Sequence, residues 1–302
     1  MSIVLETKLP NLYLRGKVRD TYNLGDQLLI VATDRISAFD VVLPCGIPDK
    51  GMVLNRLSAF WFEKTAPLVP NHMINVVDDI GLLDKYHPPG GGYQYPSYLV
   101  GRSMIVAKAQ RIPVECVVRG YLSGSAWVEY HQSGSVFGIQ LPQGMEESQK
   151  LPQPIFTPTT KAESGHDQPL SPEEMNHLVG EIIAEELREK SLAIYSYAQG
   201  YALSRDIIIA DTKMEFGLAD GKVILIDELL TPDSSRFWDA SQYVIGRPQS
   251  SFDKQPVRDW LTQSGWNKEP PAPMLPPEIT EQTTQRYREG YRRLTGRALG
   301  EC

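Results

Sequence analysis

Short alternating runs of apolar and polar residues dominate the first third of the chain. Residues 12–24 and 27–32 read as strands, with Gly25 and Asp26 as the turn between them. Residues 55–65 break the alternation, because Leu57, Phe60 and Trp61 recur at helical spacing. Strands are expected again at 73–77, 98–100, 104–109 and 114–119, and Gly90, Gly91 and Gly92 mark a loop. The stretch 140–172 is rich in Pro, Gln, Thr and Gly. It reads as a linker or as a substrate loop, since it carries Lys161, His166 and Asp167. Ser171, Pro172 and Glu174 spell a helix start, and a helical region follows to about residue 203 with a break near Gly180. Two strands, 206–217 and 222–230, meet at Asp220 and Gly221, and helices at 254–263 and 278–295 close the chain.

Strands come first and then mix with helices. That order predicts an α+β protein of two lobes, a β-rich lobe over 1–114 and an α+β lobe over 115–302. Regular strand–helix alternation is missing, as are GxGxxG and GxxxxGK[ST] runs, which argues against a doubly wound sheet and a Walker-type phosphate loop. The chain has 302 residues and a formal charge of −7. That charge disfavours a nucleic-acid coat, yet leaves room for a small anionic substrate in a local basic cleft. Three widely spaced cysteines form neither a zinc pattern nor a disulfide framework. With no apolar leader or membrane-length run, a cytoplasmic protein with reduced thiols is expected.

The run IADTKMEFG over 209–217 carries the most chemistry. On a strand, Asp211, Lys213 and Glu215 share one face, and Thr212, Met214 and Phe216 the other. The next strand ends in Asp227 and Glu228 after a very apolar stretch. Glu215 and Asp227 together suit Mg²⁺, which takes oxygen ligands and bridges carboxylates to phosphates. An exposed face with a Lys213–acid ion pair fits the same pattern. Parity supplies a condition. A two-residue turn at Asp220 and Gly221 pairs Glu215 with Ile226 and sends Asp227 to the opposite face. A shared metal site therefore predicts a three-residue loop over 219–221, or an equivalent bulge.

Two further segments are candidates for anions. Lys17 and Arg19 lie on one strand face beside Gly16, as a cover for phosphates or as a solvated basic face. The apolar strand PVECVVR, 113–119, ends in Arg119 and runs through Ser123, Gly124 and Ser125 into a helix. There Arg119 and free N–H groups can take a carboxylate or phosphate, or merely cap the helix. Arg236 follows the second acidic strand in a turn that reads as a third anion site or as a capping turn.

These segments, with FTPTTK over 156–161 and LTPDSSRFW over 230–238, resemble those of the phosphoribosylaminoimidazole-succinocarboxamide synthase (SAICAR synthetase) family in its longer form. The resemblance implies an ATP-grasp-like C-terminal lobe with ATP in the cleft between lobes. It also implies joining of L-aspartate to the carboxylate of carboxyaminoimidazole ribonucleotide, through an acyl phosphate. Carried onto this chain, Gly16, Lys17, Arg19 and Lys108 would meet ATP, and Glu215 and Asp227 would hold Mg²⁺. Lys50, Arg119, Ser125, Lys161, His166, Asp167 and Arg236 would bind the anionic substrates. Asp211, Lys213 and Arg236 would sit at the reacting centre. The adenine would meet backbone near 110–112. The other histidines, among them His72, read as structural or surface residues. The implied partners are small molecules only, with neither nucleic acid nor membrane, for a monomer or homodimer. A kinase-like phosphotransferase shares the Gly16 segment but would need HRD and DFG runs that are missing. A non-catalytic nucleotide binder would tolerate loss of the metal acids.

Overall fold

The computed structural model describes residues 3–86, 93–161 and 168–301. His166, Asp167 and the loop at 90–92 lie outside the described residues. The first lobe is built from β1 (Leu12–Arg15), β2 (Arg19–Asn23), β3 (Gln27–Ala32), the hairpin β4 (Arg35–Ala38) and β5 (Val41–Gly46), helix α1 (Lys50–Thr65), β6 (Met73–Val76) and β7 (Ser103–Ala107). Its antiparallel sheet has the order β1-β2-β3-β7-β6. β3 is central because Leu29, Ile30, Val31 and Ala32 are all buried. Helix α1 packs on β3, β6 and β7 and buries Val53, Leu54, Leu57, Trp61 and Phe62.

Helix α1 begins five residues before its apolar stripe. The Asp34 side chain accepts from the Gly51 N–H (2.9 Å), so the first turn is capped by the sheet rather than by its own sequence. Residues 98–100 form no strand. Ser97–Leu99 is a single 3₁₀ turn that buries Leu99 after Pro96.

The second lobe runs through β8 (Gln110–Tyr121), α2 (Ser125–Ser133), the small hairpin β9 (Ser135–Val136) and β10 (Ile139–Gln140), β11 (Lys150–Phe156), β12 (Thr159–Thr160), α3 (Pro172–Val179), α4 (Glu181–Leu203), β13 (Ile207–Ala219), β14 (Lys222–Ile226) and β15 (Ser235–Asp239). Its antiparallel sheet has the order β11-β8-β13-β14, with β12 on β8 and β15 on β13. The sheets change over at residues 108–109, so position 115 lies inside β8. The closing helices α5 (Gln255–Gln263) and α6 (Pro277–Thr295) pack back on the first lobe. Val257 and Leu261 of α5 share a core with Ile36, Leu43 and Ile47, and α6 lies on α1. Among the described residues no helix is long and apolar enough to cross a membrane.

Helices α3 and α4 begin and break as their sequence dictates. Ser171 and Glu174 form a reciprocal capping box, and Gly180 (φ +84°) ends one helix and starts the next. Helix α4 covers β13 and β8, so Thr212, Met214, Phe216, Cys116 and Val118 face an apolar core while the opposite sheet face stays polar. Tyr195 of α4 donates to the Ile209 carbonyl (2.6 Å) and passes directly over Gly120. A Cβ at 120 would stand 1.9 Å from the Tyr195 hydroxyl oxygen. Gly120→Ala is therefore expected to lower stability by about 1–3 kcal/mol. Adding Tyr195→Phe should recover part of the loss in thermal denaturation. An unchanged midpoint in the single variant would contradict this close packing.

Candidate active site

The polar face of the second sheet carries two rows of charge. In the first row, β8 sets Arg119 opposite Asp211 and β15 sets Arg236 on its other side. Arg236 donates to Asp211 Oδ2, and Arg119 lies 3.5 Å from the same oxygen. Arg119 also donates to Thr157 Oγ1 (3.0 Å) and Ser125 Oγ (3.4 Å), so Arg119, Ser125, Asp211 and Arg236 come together. Gly124 makes the room. Its φ is +57°, and a Cβ there would stand 2.5 Å from the Arg236 guanidinium.

The second row sets Glu115 directly opposite Glu215. Like charges in such a pair repel. Lys161 relieves them by reaching both, 2.7 Å from Glu115 and 2.5 Å from Glu215, and Lys213 adds a bond to Glu115 at 2.8 Å. Burial works to raise the Glu115 carboxyl, but Lys213 and Lys161 together hold it below its ordinary value. Burial likewise works against the charge on Lys161, and the two glutamates override it and hold the ammonium above its ordinary value. Glu115 is a site residue that the sequence reading missed. Its two-residue step from Val117 and Arg119 was the available signal. Cys116, on the other face, is buried, and burial pushes its thiol up to about 12, so it offers no thiolate.

The turn expectation is overturned. β13 and β14 pair Ala219 with Lys222 and Glu215 with Ile226 around a two-residue turn, with Asp220 (φ +51°) and Gly221 (φ +72°) both left-handed. This is the tight turn that matches strand twist. Yet Asp227 does not point to the far face. β14 stops at Ile226 rather than running on to 230, and Asp227 itself is left-handed (φ +68°). Strand parity ends there, and Glu215, Asp227 and Glu228 line one cavity. Arg19 reaches across from β2 to Asp227 (2.6 Å) and Glu228 (2.9 Å). Burial, with Glu215 and Glu228 close by, pushes the Asp227 carboxyl up to about 6 although Arg19 pulls the other way.

The remaining candidates fall in different places. Gly16 and Lys17 form the β1–β2 turn, whose carbonyls are held by Arg35 (3.0 and 2.9 Å). Lys17 itself lies on Asp40 at 2.6 Å. Lys50 is fully buried. Its ammonium bonds Asp233 (2.7 Å), which also accepts from Tyr287 (2.6 Å), so Asp233 faces the cleft and Lys50 lies beneath it. Lys108 is exposed between β7 and β8 and does not line the cleft. Lys254 and Arg258, beside and within α5, do line it. Neither carried a motif, because the fold of the C-terminal region alone brings them there.

Three adjoining cavities of 500, 220 and 870 Å³ make one continuous cleft. Lys213 and Asp233 line both the first and the second; Arg236, Asp253 and Arg258 line both the second and the third. The anticipated excess of positive charge is not found. Among the described residues ten cationic and ten acidic side chains line the cleft. No three His, Cys, Asp or Glu side chains converge as a ready-made metal cage among the described residues. A Mg²⁺ ion that shares one or two carboxylates with substrate phosphates needs no such cage. Glu215 and Asp227 fit that mode, since both carboxylates line the same cavity beside Lys17 and Lys213.

The fold and cleft define a two-lobed α+β protein whose cleft pairs lysines and arginines with carboxylates. The SAICAR synthetase family model matches residues 12–273, and the chain belongs to that family. It is 54% identical over 296 residues to phosphoribosylaminoimidazole-succinocarboxamide synthase of Thermodesulfovibrio yellowstonii, covering 97% of this chain and 99% of that one. A solved structure of SAICAR-synthase from Saccharomyces cerevisiae complexed with SAICAR superposes with a TM-score of 0.89 at 43% identity, covering 99% of this chain and all of that one. A type-2 SAICAR synthetase in complex with ADP gives 0.68 at 25% identity, covering 95% of this chain and 99% of that one.

The Asp227 environment predicts a pH signature. The unfolded carboxyl titrates near 3.8, and the folded one near 6. Between these values the folded protein keeps a proton that the unfolded chain has lost, so stability falls as pH rises through the window. Asp227→Asn should match the parent near pH 4 and exceed it near pH 8 by about 1–3 kcal/mol. A variant less stable than the parent at pH 8 would refute the burial-raised Asp227 carboxyl.

Proposed function

We propose that the protein is an ATP-dependent ligase of purine biosynthesis. It joins L-aspartate to the carboxylate of carboxyaminoimidazole ribonucleotide and yields SAICAR, ADP and phosphate. The observation that carries the reading is Lys213, whose side chain lines both the cavity behind the Gly16 turn and the cavity flanked by Arg119 and Arg236. A nucleotide in the first and a carboxylate in the second meet at one ammonium group.

In this reading the β1–β2 turn, with Lys17, covers the ATP phosphates. Arg119, Ser125 and Arg236 hold the ribonucleotide, and Asp211 keeps the two arginines in register. The γ-phosphoryl passes to a carboxylate oxygen and ADP leaves. The aspartate amine then attacks the acyl carbon, loses a proton, and expels phosphate. Lys213 neutralises the charge on the moving phosphoryl group. No side-chain nucleophile takes part, and the rate comes from positioning and fixed charge. Mg²⁺ held by Glu215 and Asp227 would supply further neutralisation of the phosphates. Lys161 keeps Glu215 placed until then. The reaction takes place in the cytoplasm, in a monomer or homodimer.

A coupled assay with ATP and the ribonucleotide should show steady ADP release only when L-aspartate is added, and release that ignores aspartate would overturn the ligase reading. Glu215→Gln should keep the fold and lower kcat by about 10²–10³-fold; full turnover in this variant would remove Glu215 from the metal role. With ¹⁸O in the substrate carboxylate, one label should appear in the phosphate released. Unlabelled phosphate would rule out the acyl phosphate.

A further inference from the structure

Arg19 meets two consecutive carboxylates, which a continuous strand would forbid. Neighbouring residues on a strand face opposite ways. Because β14 stops at Ile226 and Asp227 is left-handed (φ +68°), the side chains of Asp227 and Glu228 both turn to one guanidinium. We propose that Arg19 is a placeholder cation. It occupies carboxylate oxygens that would otherwise take Mg²⁺, and releases them only when nucleotide phosphates arrive to receive its guanidinium. The inference rests on the reading of Asp227 as a group that meets phosphate-bound Mg²⁺.

The contact crosses the lobe junction. Arg19 starts β2 in the first lobe, and its Nη2 donates to Asp227 Oδ2 at 2.6 Å. Its Nη1 lies 2.9 Å from Glu228 Oε2, yet is buried and makes no hydrogen bond among the described residues. That glutamate oxygen already accepts from the Thr231 hydroxyl (2.7 Å). The guanidinium is therefore held by charge on two sides but bonded on one. Burial works against its charge, and Asp227 and Glu228 override that and hold it above its ordinary value. An N–H left buried without an acceptor is costly. Phosphate oxygens, which take arginine N–H groups in pairs, would relieve that cost.

A free Mg²⁺ ion that takes these carboxylates must displace Arg19 and leave a largely buried guanidinium without a counter-charge, which is unfavourable. A nucleotide removes the obstacle, since its phosphates pair with the guanidinium while the metal takes the acids. Metal and nucleotide then bind with positive coupling, and the coupling is reciprocal. Neutralising Arg19 should therefore strengthen the binding of the metal alone, although it removes a partner for the phosphates.

The test is calorimetric titration with MgCl₂ in the absence of nucleotide, and with ADP in the presence and absence of MgCl₂. Arg19→Met should bind Mg²⁺ alone about tenfold more tightly than the parent. Mg²⁺ alone should raise the thermal midpoint of this variant and leave that of the parent unchanged. The factor by which Mg²⁺ improves ADP binding should shrink about tenfold in the same variant. Arg19→Lys, which keeps the charge, should bind Mg²⁺ alone as weakly as the parent. Arg19→Gln replaces the methionine variant if that one unfolds. Adding Asp227→Asn to Arg19→Met should abolish the gain. No gain in the folded neutral variant would overturn the placeholder role, as would an equal gain in Arg19→Lys. A gain that survives Asp227→Asn would put the metal elsewhere and overturn the reading of Asp227 on which the inference rests.

Discussion

Glu115 and Glu215 face each other across adjacent strands, and the cleft depends on the ammonium group that separates them. Two buried carboxylates in that register repel unless a cation joins them. Lys161 supplies it from the chain after β12, and Lys213 supports it from within β13. This contact ties the middle segment to the paired strands β8 and β13. It also keeps a row of acids on the sheet face where the lobes meet. Helix α4 makes the arrangement possible, because it takes the opposite, apolar face of the same two strands into the core.

The resulting cleft is balanced rather than basic. Each principal cation rests on a carboxylate: Lys17 on Asp40, Arg19 on Asp227 and Glu228, Arg236 on Asp211, Lys50 on Asp233. Such pairing places side chains that would otherwise be mobile, which lowers the ordering cost when an anionic ligand arrives. It also explains how a chain of charge −7 can serve substrates that are all anionic. Local pairing holds the cations in place, so the net charge does not decide the matter.

The lobe junction is where this placement is enforced. Arg19 reaches Asp227 from the first lobe. Lys50 reaches Asp233 from beneath, with Tyr287 of α6 beside it. Burial works to raise the Asp233 carboxyl, but Lys50, Lys254 and the Tyr287 hydroxyl hold it well below the ordinary carboxylate range. Helix α6 therefore does more than close the chain. It braces a carboxylate that faces the cleft.

The sequence by itself determined the local features. Period-two alternation set Asp211, Lys213 and Glu215 on one face; Ser171 and Glu174 fixed a helix start; Asp220 and Gly221 marked a turn. Each depends on residues a few positions apart, and local sterics and hydrogen bonding decide them. It also carried the motifs whose resemblance pointed to the family. Only the tertiary structure decided where Asp227 points, that Glu115 lies opposite Glu215, that Lys50 is buried, and that Lys254 and Arg258 enter the cleft. Parity from the turn gave the wrong register condition, because it assumed a strand that continues past Ile226. The strand stops at Ile226, where Asp227 turns left-handed (φ +68°), and a period of two does not encode where a strand stops.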